Sequence, residues 1–125
     1  MGLKTNIMIV DDNPANLKLA GDLLEGEGFE VCRCINAKAT LDALSSFRPA
    51  LILMDISLPG MDGLELTQKI KSDERNIGIR IVALTASAMK GDKERILAAG
   101  CDGYIAKPID TRKFKDQITP YLPPS

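Results

Sequence analysis

The stretch Leu51-Ile52-Leu53-Met54 is apolar at every position and is followed by Asp55. A strand with one face in water alternates apolar and polar residues, whereas a strand covered on both faces does not. The four consecutive apolar residues therefore predict a strand that is buried on both faces. Such strands are typical of parallel sheets that carry helices on each side.

Short apolar runs alternate with longer amphipathic stretches along the rest of the chain. Strands are predicted at 6–10, 29–35, 51–54, 81–84 and 104–106. The second of these is of mixed polarity, which places it near an edge of the sheet. Five strand–helix units predict an α/β fold, a doubly wound five-stranded parallel sheet flanked by five helices.

Helix signals lie between the predicted strands. Asn13 and Pro14 fit the N-cap and the first helical position, and Gly26 and Gly28 end that first helix. The other helices are predicted to run from an Asn36 cap to Pro49, over 64–72, over 89–99, and from an Asp110 cap to about Leu122.

The composition is that of one ordinary globular domain over 1–125. The chain has 125 residues, 45% of them hydrophobic, and 16 Lys and Arg against 17 Asp and Glu. Because the basic residues are scattered and the formal charge is −1, a nucleic-acid partner is not expected. The longest apolar run, 50–54, is too short for a bilayer. Three cysteines without scaffold spacing, and no export signal, predict a cytoplasmic location.

Five side chains of complementary chemistry follow the ends of the predicted strands. In a doubly wound sheet, the carboxyl ends of the strands form one rim, and ligands bind there. The residues just past the strands are Asp11 and Asp12, then Asp55, Thr85 and Lys107. Clustered carboxylates repel one another unless a cation lies among them. Mg²⁺ suits such a site, since it takes oxygen ligands and commonly shares its coordination with a phosphate.

Several other chemistries lack the residues they need. The chain has no histidine, which excludes Ser-His catalysis and histidine metal sites, and it has no P-loop motif. The segment Gly26-Glu27-Gly28 lacks the third glycine of a dinucleotide fingerprint and precedes a strand. Cys32 and Cys34 fall on one face of a strand, where packing is a better interpretation than a metal pair, because tetrahedral sites usually have four ligands.

Four stretches resemble the receiver domain of bacterial two-component response regulators. They are Ile9-Val10-Asp11-Asp12-Asn13, Leu53 to Gly63, Ala83-Leu84-Thr85-Ala86 and Tyr104-Ile105-Ala106-Lys107-Pro108. Together they span nearly the whole chain in the order and spacing of the family. The region from Met89 to Pro108 is most similar to the receiver-only regulators of bacterial cell division and polarity. The resemblance implies a flavodoxin-like receiver fold, here as a single domain without an output domain.

The resemblance also implies a phosphorylation site. Asp55 would accept a phosphoryl group from a phosphohistidine on a sensor histidine kinase or a histidine phosphotransfer protein. Lys107 would pair with the phosphoryl oxygens, Thr85 would donate its hydroxyl to one of them, and the bond from Lys107 to Pro108 would be cis. Such a protein promotes only its own phosphorylation and dephosphorylation, and we predict a signalling domain rather than an enzyme.

A magnesium site is implied at the same place. Asp12, Asp55 and the backbone carbonyl of Ser57 would bind Mg²⁺ directly, and Asp11 would act mainly through a metal-bound water. The side chains of Ser57 and Ser87 would flank the phosphoryl group.

A conformational switch is the last implication of the resemblance. Tyr104 occupies the position of an aromatic side chain that moves inward when the Thr85 hydroxyl shifts. The helix after Thr85 has little apolar face, which favours a movable surface that contacts a downstream protein. We expect no membrane partner, and a monomer or weak dimer.

Three alternatives remain open at this point. The chain could be a receiver excised from a hybrid histidine kinase. It could be a pseudo-receiver that signals without phosphate, although the complete set of site residues counts against that. It could also be a flavin electron-transfer protein of similar topology, although no Ser/Thr-rich loop follows the first strand to hold a flavin phosphate.

Overall fold

The computed structural model describes residues 4–58, 60–86 and 89–123, and five parallel strands form its centre. The strands are β1 Asn6–Val10, β2 Glu30–Cys34, β3 Leu51–Asp55, β4 Arg80–Thr85 and β5 Gly103–Ala106. Their order in the sheet is β2-β1-β3-β4-β5, and every neighbouring pair is parallel. The predicted fold class is confirmed, and β2 lies at an edge as its mixed polarity indicates.

Five α-helices cover this sheet in the described residues. They are α1 Pro14–Gly26, α2 Ala37–Ala43, α3 Gly63–Lys71, α4 Lys90–Ala98 and α5 Phe114–Ile118, and two short 3₁₀ turns cover Glu74–Asn76 and Thr119–Tyr121. Asn13, Asn36 and Asp62 cap α1, α2 and α3, because the side-chain oxygen of each accepts a backbone N–H of the first turn. No helix in the described ranges has the length and apolar character needed to span a membrane.

The sheet separates two apolar layers. All five residues of β3 are buried, as the continuous apolar run predicts. On one face, Leu53 packs in a layer with Leu17 of α1 and Phe114 of α5. On the other face, Met54 packs in a layer with residues of α3 and α4, among them Ile96. Burial on both sides fixes the register of β3, and therefore fixes where its last residue, Asp55, emerges.

The strand register brings the polar residues to one rim. Val10, the last residue of β1, pairs with Met54, and Asp55 pairs with Leu84 in β4. Thr85 comes one position later and pairs with Ala106, the last residue of β5. Asp55 and Thr85 are the final residues of their strands rather than the first residues of loops, which moves the predicted strand ends by one residue.

The second helix is shorter than predicted. It ends at Ala43, well before Pro49. The hydroxyl of Ser45 donates to the carbonyl oxygen of Asp42, and this local hydrogen bond competes with helix continuation. Leu44, in the turn that follows the helix, is nevertheless buried in the apolar layer on that face of the sheet.

The last helix also differs from its prediction. Asp110 is not its N-cap, because α5 begins only at Phe114, and Asp110 Oδ1 accepts the amide of Arg112 in the turn before the helix. The α-helix ends at Ile118 instead of Leu122, because Pro120 has no backbone N–H to continue the α-helical hydrogen bonds, and the chain goes on as the 3₁₀ turn Thr119–Tyr121. Phe114 and Ile118, four residues apart on one face of the helix, are both buried.

Replacing Asp102 with alanine is expected to lower the free energy of unfolding by about 1–3 kcal/mol, because it leaves a buried donor without its partner. Asp102 Oδ2 accepts the amide of Ile81 at 2.8 Å and lies 3.3 Å from the Lys71 ammonium. Urea denaturation measures the loss. Asp42→Ala is the control, since its pair with Lys38 is exposed and worth no more than about 0.5 kcal/mol. Equal losses in the two variants would contradict the prediction.

Candidate functional site

Three carboxylates converge at the carboxyl ends of β1 and β3. Asp11 and Asp12 follow β1 directly, and Asp55 ends β3. One ligand oxygen from each lies within 4.8 Å of the others. Asp11 and Asp55 are buried, whereas Asp12 is exposed, so the cluster opens to solvent on the Asp12 side.

Asp55 is held by a hydrogen bond on one carboxylate oxygen and by an ion pair on the other. The backbone N–H of Ser57 donates to Oδ1 at 2.9 Å, which ties the carboxylate to the turn that follows β3. Oδ2 lies 3.2 Å from the Lys107 ammonium. The side chain of Asp55 is only 3% exposed, so water screens this ion pair weakly. The geometry fixes a carboxylate with a cation beside it.

The negative charge of Asp11 is less well compensated than that of Asp55. Its Oδ1 accepts the amide of Asn13 at 2.9 Å, but its Oδ2 is buried and accepts no hydrogen bond within the described residues. Lys107 lies 3.5 Å from that oxygen, as an ion pair only. Burial raises the pKa of Asp11 above its ordinary value of 3.8, and the neighbouring Asp55 adds to this, while the Asn13 amide and Lys107 oppose it.

The residues present fit a magnesium ion. Asp11, Asp12 and Asp55 supply the oxygen ligands that this ion prefers, and one ammonium, on Lys107, is ion-paired with two of the three carboxylates. The buried Oδ2 of Asp11, which accepts no hydrogen bond within the described residues, is an acceptor that a cation or its bound water would satisfy. Within the described ranges, no other group of three or more His, Cys, Asp or Glu side chains is arranged to hold a metal.

The remaining predicted residues lie on the neighbouring strands. Thr85 is buried at the end of β4, and its carbonyl oxygen accepts the amide of Lys107 at 2.7 Å. The peptide bond between Lys107 and Pro108 is cis. Tyr104 is half-buried on β5, against the layer that contains α3 and α4, and the Lys93 ammonium lies 5.4 Å from its ring centroid. Thr85, Lys107 and Tyr104 are thus linked through the paired ends of β4 and β5.

Two serines were predicted to flank a phosphoryl group. The side chain of Ser57 is exposed, and its backbone amide binds Asp55. Ser87 lies outside the described residues, so its part of the prediction stays a prediction.

The two cysteines of β2 form a thiol–thiol hydrogen bond rather than a disulfide. The Sγ atoms of Cys32 and Cys34 are 3.9 Å apart, and both residues are free thiols. Burial, with a contribution from Cys32, raises the pKa of Cys34 to about 12, so its thiol is protonated at neutral pH. Cys34 also belongs to one apolar layer of the core, which agrees with the packing interpretation.

Gly63 lies directly against the end of β3, although the helix predicted over 64–72 leaves it outside. It begins α3, and a β-carbon built on it would overlap the carbonyl oxygen of Asp55 and come within 2.6 Å of Ile56 Cα. The available signal was an Asp-Gly pair at a predicted helix start, where glycine is a poor helix former.

Comparison with known proteins identifies the family. Residues 7–119 match the family model described as the response regulator receiver domain, and the chain belongs to that family. It is 48% identical over 117 residues to the polar-differentiation response regulator DivK of Brucella anthropi, covering 94% of this chain and 95% of that protein. DivK of Brucella ovis is 47% identical over the same share of both chains. Membership of this family excludes the flavin electron-transfer alternative.

Solved structures agree with the fold. The receiver domain of the sensor histidine kinase PA1611 of Pseudomonas aeruginosa, determined with a magnesium ion coordinated in its active-site cleft, is 31% identical with a TM-score of 0.85, covering 95% of this chain and 98% of that one. The chemotaxis response regulator CheY4 of Vibrio cholerae has a TM-score of 0.91 at 21% identity, covering 96% of this chain and 100% of that one. The second likeness concerns the fold alone.

Proposed function

We propose that the protein is a phosphoacceptor response regulator in which Asp55 takes a phosphoryl group from a phosphohistidine on a partner protein. The observation that carries the proposal is the environment of Asp55, a buried carboxylate held between the Ser57 amide and the Lys107 ammonium. Membership of the receiver family supports the assignment. So does the adjacent pair Asp11 and Asp12, which completes an oxygen-rich cation site.

The transfer forms one bond and breaks one. A carboxylate oxygen of Asp55 attacks phosphorus, and the bond between phosphorus and the donor imidazole nitrogen breaks. The leaving nitrogen keeps the electron pair and the imidazole takes one proton from water, while Asp55 becomes an acyl phosphate. Phosphoryl transfer needs positioning and charge neutralisation more than covalent help from the protein.

The residues of this chain supply both requirements. The Ser57 amide orients Asp55, and Lys107, already 3.2 Å from Oδ2, pairs with the phosphoryl oxygens as their charge develops. Asp12, Asp55 and the Ser57 carbonyl would hold Mg²⁺ directly, and Asp11 would act through a metal-bound water. When bound, the ion offsets the repulsion between the carboxylates and the incoming phosphoryl group.

The phosphoryl group then drives a switch. The acyl phosphate is more negative than the carboxylate it replaces, so it draws the Thr85 hydroxyl and Lys107 inward. Tyr104 follows, because its strand is tied to β4 through the Lys107 amide. The surface that changes includes α4, a weakly anchored helix in which Ile96 is the buried residue while Met89 and Leu97 beside it are exposed.

The proposed partners follow from this chemistry. The donor is a sensor histidine kinase, a histidine phosphotransfer protein or both, and the receiver of the signal is a downstream protein that binds the switched surface. Three free thiols suit a reducing compartment, so we place the exchange in the cytoplasm.

Phosphotransfer from a panel of autophosphorylated histidine kinases and phosphotransfer proteins, with Mg²⁺, tests the proposal. We expect rapid labelling by one or a few donors and loss of that labelling when EDTA removes the metal. A small-molecule phosphodonor, acetyl phosphate, serves as a partner-independent arm. Labelling by no donor in either arm would overturn the proposal and make a phosphate-independent pseudo-receiver the better explanation.

A further inference from the structure

The backbone of the phosphoacceptor turn lies directly against Gly63. A β-carbon built on Gly63 would overlap the Asp55 carbonyl oxygen, and it would lie 2.6 Å from Ile56 Cα and 2.9 Å from the Asp55 carbonyl carbon. Contacts under 3.0 Å are essentially never made by real β-carbons, and all three atoms here are backbone. A side chain at position 63 therefore requires the turn after β3 to move.

Backbone conformation does not explain this glycine. Gly28, Gly60 and Gly100 have positive φ angles, which favour glycine, but Gly63 is not among the described residues that do. Glycine is also a poor helix former, and Gly63 opens α3. The close approach to the turn is the feature that accounts for glycine at this position.

Two hydrogen bonds connect Gly63 to the site. Its amide donates to the carbonyl oxygen of Ile56 at 3.1 Å, which fixes the start of α3 to the turn. The next residue, Ser57, donates its amide to Asp55 Oδ1 at 2.9 Å. The start of α3 is itself held by Asp62, whose Oδ1 accepts the amide of Glu65 at 2.8 Å. A continuous set of contacts thus runs from the α3 cap to the phosphoacceptor carboxylate.

We infer that Gly63 is a positioning residue for phosphoryl transfer, which holds the turn of Asp55, Ile56 and Ser57 so that the carboxylate and the Ser57 carbonyl face the cation. This inference rests on the proposed function. A methyl group at position 63 displaces the turn, lengthens the hydrogen bond from Ser57 to Asp55, and misplaces two of the proposed magnesium ligands at once. A displacement near 1 Å in such a site costs about a hundredfold in rate.

Gly63→Ala with Gly91→Ala as its control isolates this effect. Gly91 lies in the first turn of α4, and a β-carbon built on it meets nothing within 4 Å. The two variants make the same chemical change in the same part of a helix. We expect Gly63→Ala to weaken Mg²⁺ binding, measured by calorimetry, at least tenfold and to slow labelling by acetyl phosphate about a hundredfold. Gly91→Ala is expected to match the wild type.

A metal-free measurement separates positioning from packing. Hydrogen exchange of the Ser57 amide, followed by NMR without Mg²⁺, is expected to be at least tenfold faster in Gly63→Ala, while amides at the centre of β3 exchange as in the wild type. If the variant is destabilised but the Ser57 amide, the magnesium affinity and the labelling rate are unchanged, Gly63 only packs and the inference is wrong. Failure of the wild type to be labelled would instead contradict the proposed function.

A second pair of variants addresses the case in which Gly63→Ala does not fold. Asp62→Ala removes the cap of α3 without adding an atom at Gly63, and Asp62→Asn keeps the cap while removing the same charge. We expect Asp62→Ala to exchange the Ser57 amide several-fold faster than Asp62→Asn and to bind Mg²⁺ more weakly. Equal exchange and equal affinity in the two variants would overturn the inference.

Discussion

Phosphoryl labelling is expected to fall to background, a loss of at least about a hundredfold, when Asp55 is replaced by asparagine. The neutral amide has no carboxylate oxygen to attack phosphorus. The fold is expected to survive, because asparagine has nearly the same volume, and its Oδ1 can still accept the Ser57 amide. Lys107 keeps an anionic partner in Asp11, 3.5 Å away. If labelling is lost while the fold is retained, the loss is therefore due to the missing carboxylate oxygen of Asp55.

The measurement is intact mass after incubation with acetyl phosphate and Mg²⁺, with circular dichroism to verify the fold. Asp62→Asn is the control, since it makes the same change at a half-buried aspartate in the loop after β3 and keeps the α3 cap. The control is expected to gain one phosphoryl group, as the wild type does. A phosphorylated Asp55→Asn protein, with the group mapped to Asp11 or Asp12, would show that the acceptor has been assigned to the wrong carboxylate.

The position of Asp55 was predictable because parallel strands share one rim. The apolar run of β3 fixes a strand buried on both faces, and its last residue must then emerge beside the ends of β1 and β4. The same argument places Asp11, Thr85 and Lys107 without any knowledge of their contacts. Strand periodicity and order along the chain are enough for this level of detail.

The contacts themselves were not predictable from the sequence. The approach of Gly63 to the Asp55 carbonyl depends on the path of the loop after β3, and sequence spacing carries no information about that path. The Asp110 prediction was wrong for a related reason, since an aspartate can cap a helix or close a local turn, and here Asp110 accepts the Arg112 amide in a turn that precedes α5. Tertiary contacts decide between local structures of similar stability.

Asparagine at position 11 is expected to stabilise the metal-free protein at pH 7, by about 1–3 kcal/mol. Asp11 is buried, and its Oδ2 accepts no hydrogen bond from the described residues. The wild type therefore carries a poorly compensated charge next to a second carboxylate, Asp55. Asparagine removes that charge, and its Oδ1 can still accept the amide of Asn13. Urea denaturation in EDTA measures the gain.

The pH dependence of this gain follows from the raised pKa of Asp11. A raised pKa means that the folded state binds the proton more tightly than the unfolded state, so wild-type stability is reduced above the folded pKa and recovers as the pH falls through it. The advantage of Asp11→Asn is therefore greatest at neutral pH and shrinks on acidification towards 3.8, the ordinary value. An advantage that grows on acidification would contradict this account.

Magnesium is expected to make the wild type more stable than Asp11→Asn, which reverses the order expected without metal. The folded wild type should gain about 2.7 kcal/mol when free Mg²⁺ is a hundred times its dissociation constant, because the unfolded chain has no assembled site. Asp11→Asn should gain much less, since one of the three carboxylates is gone. Asp12→Asn is the matched control: its carboxylate is exposed, so it should lose the magnesium effect without the metal-free gain. If metal-free Asp11→Asn is less stable than the wild type, this account is wrong. Lys107 would then already compensate the charge of Asp11, and repulsion between the carboxylates would not lower the stability of the metal-free protein.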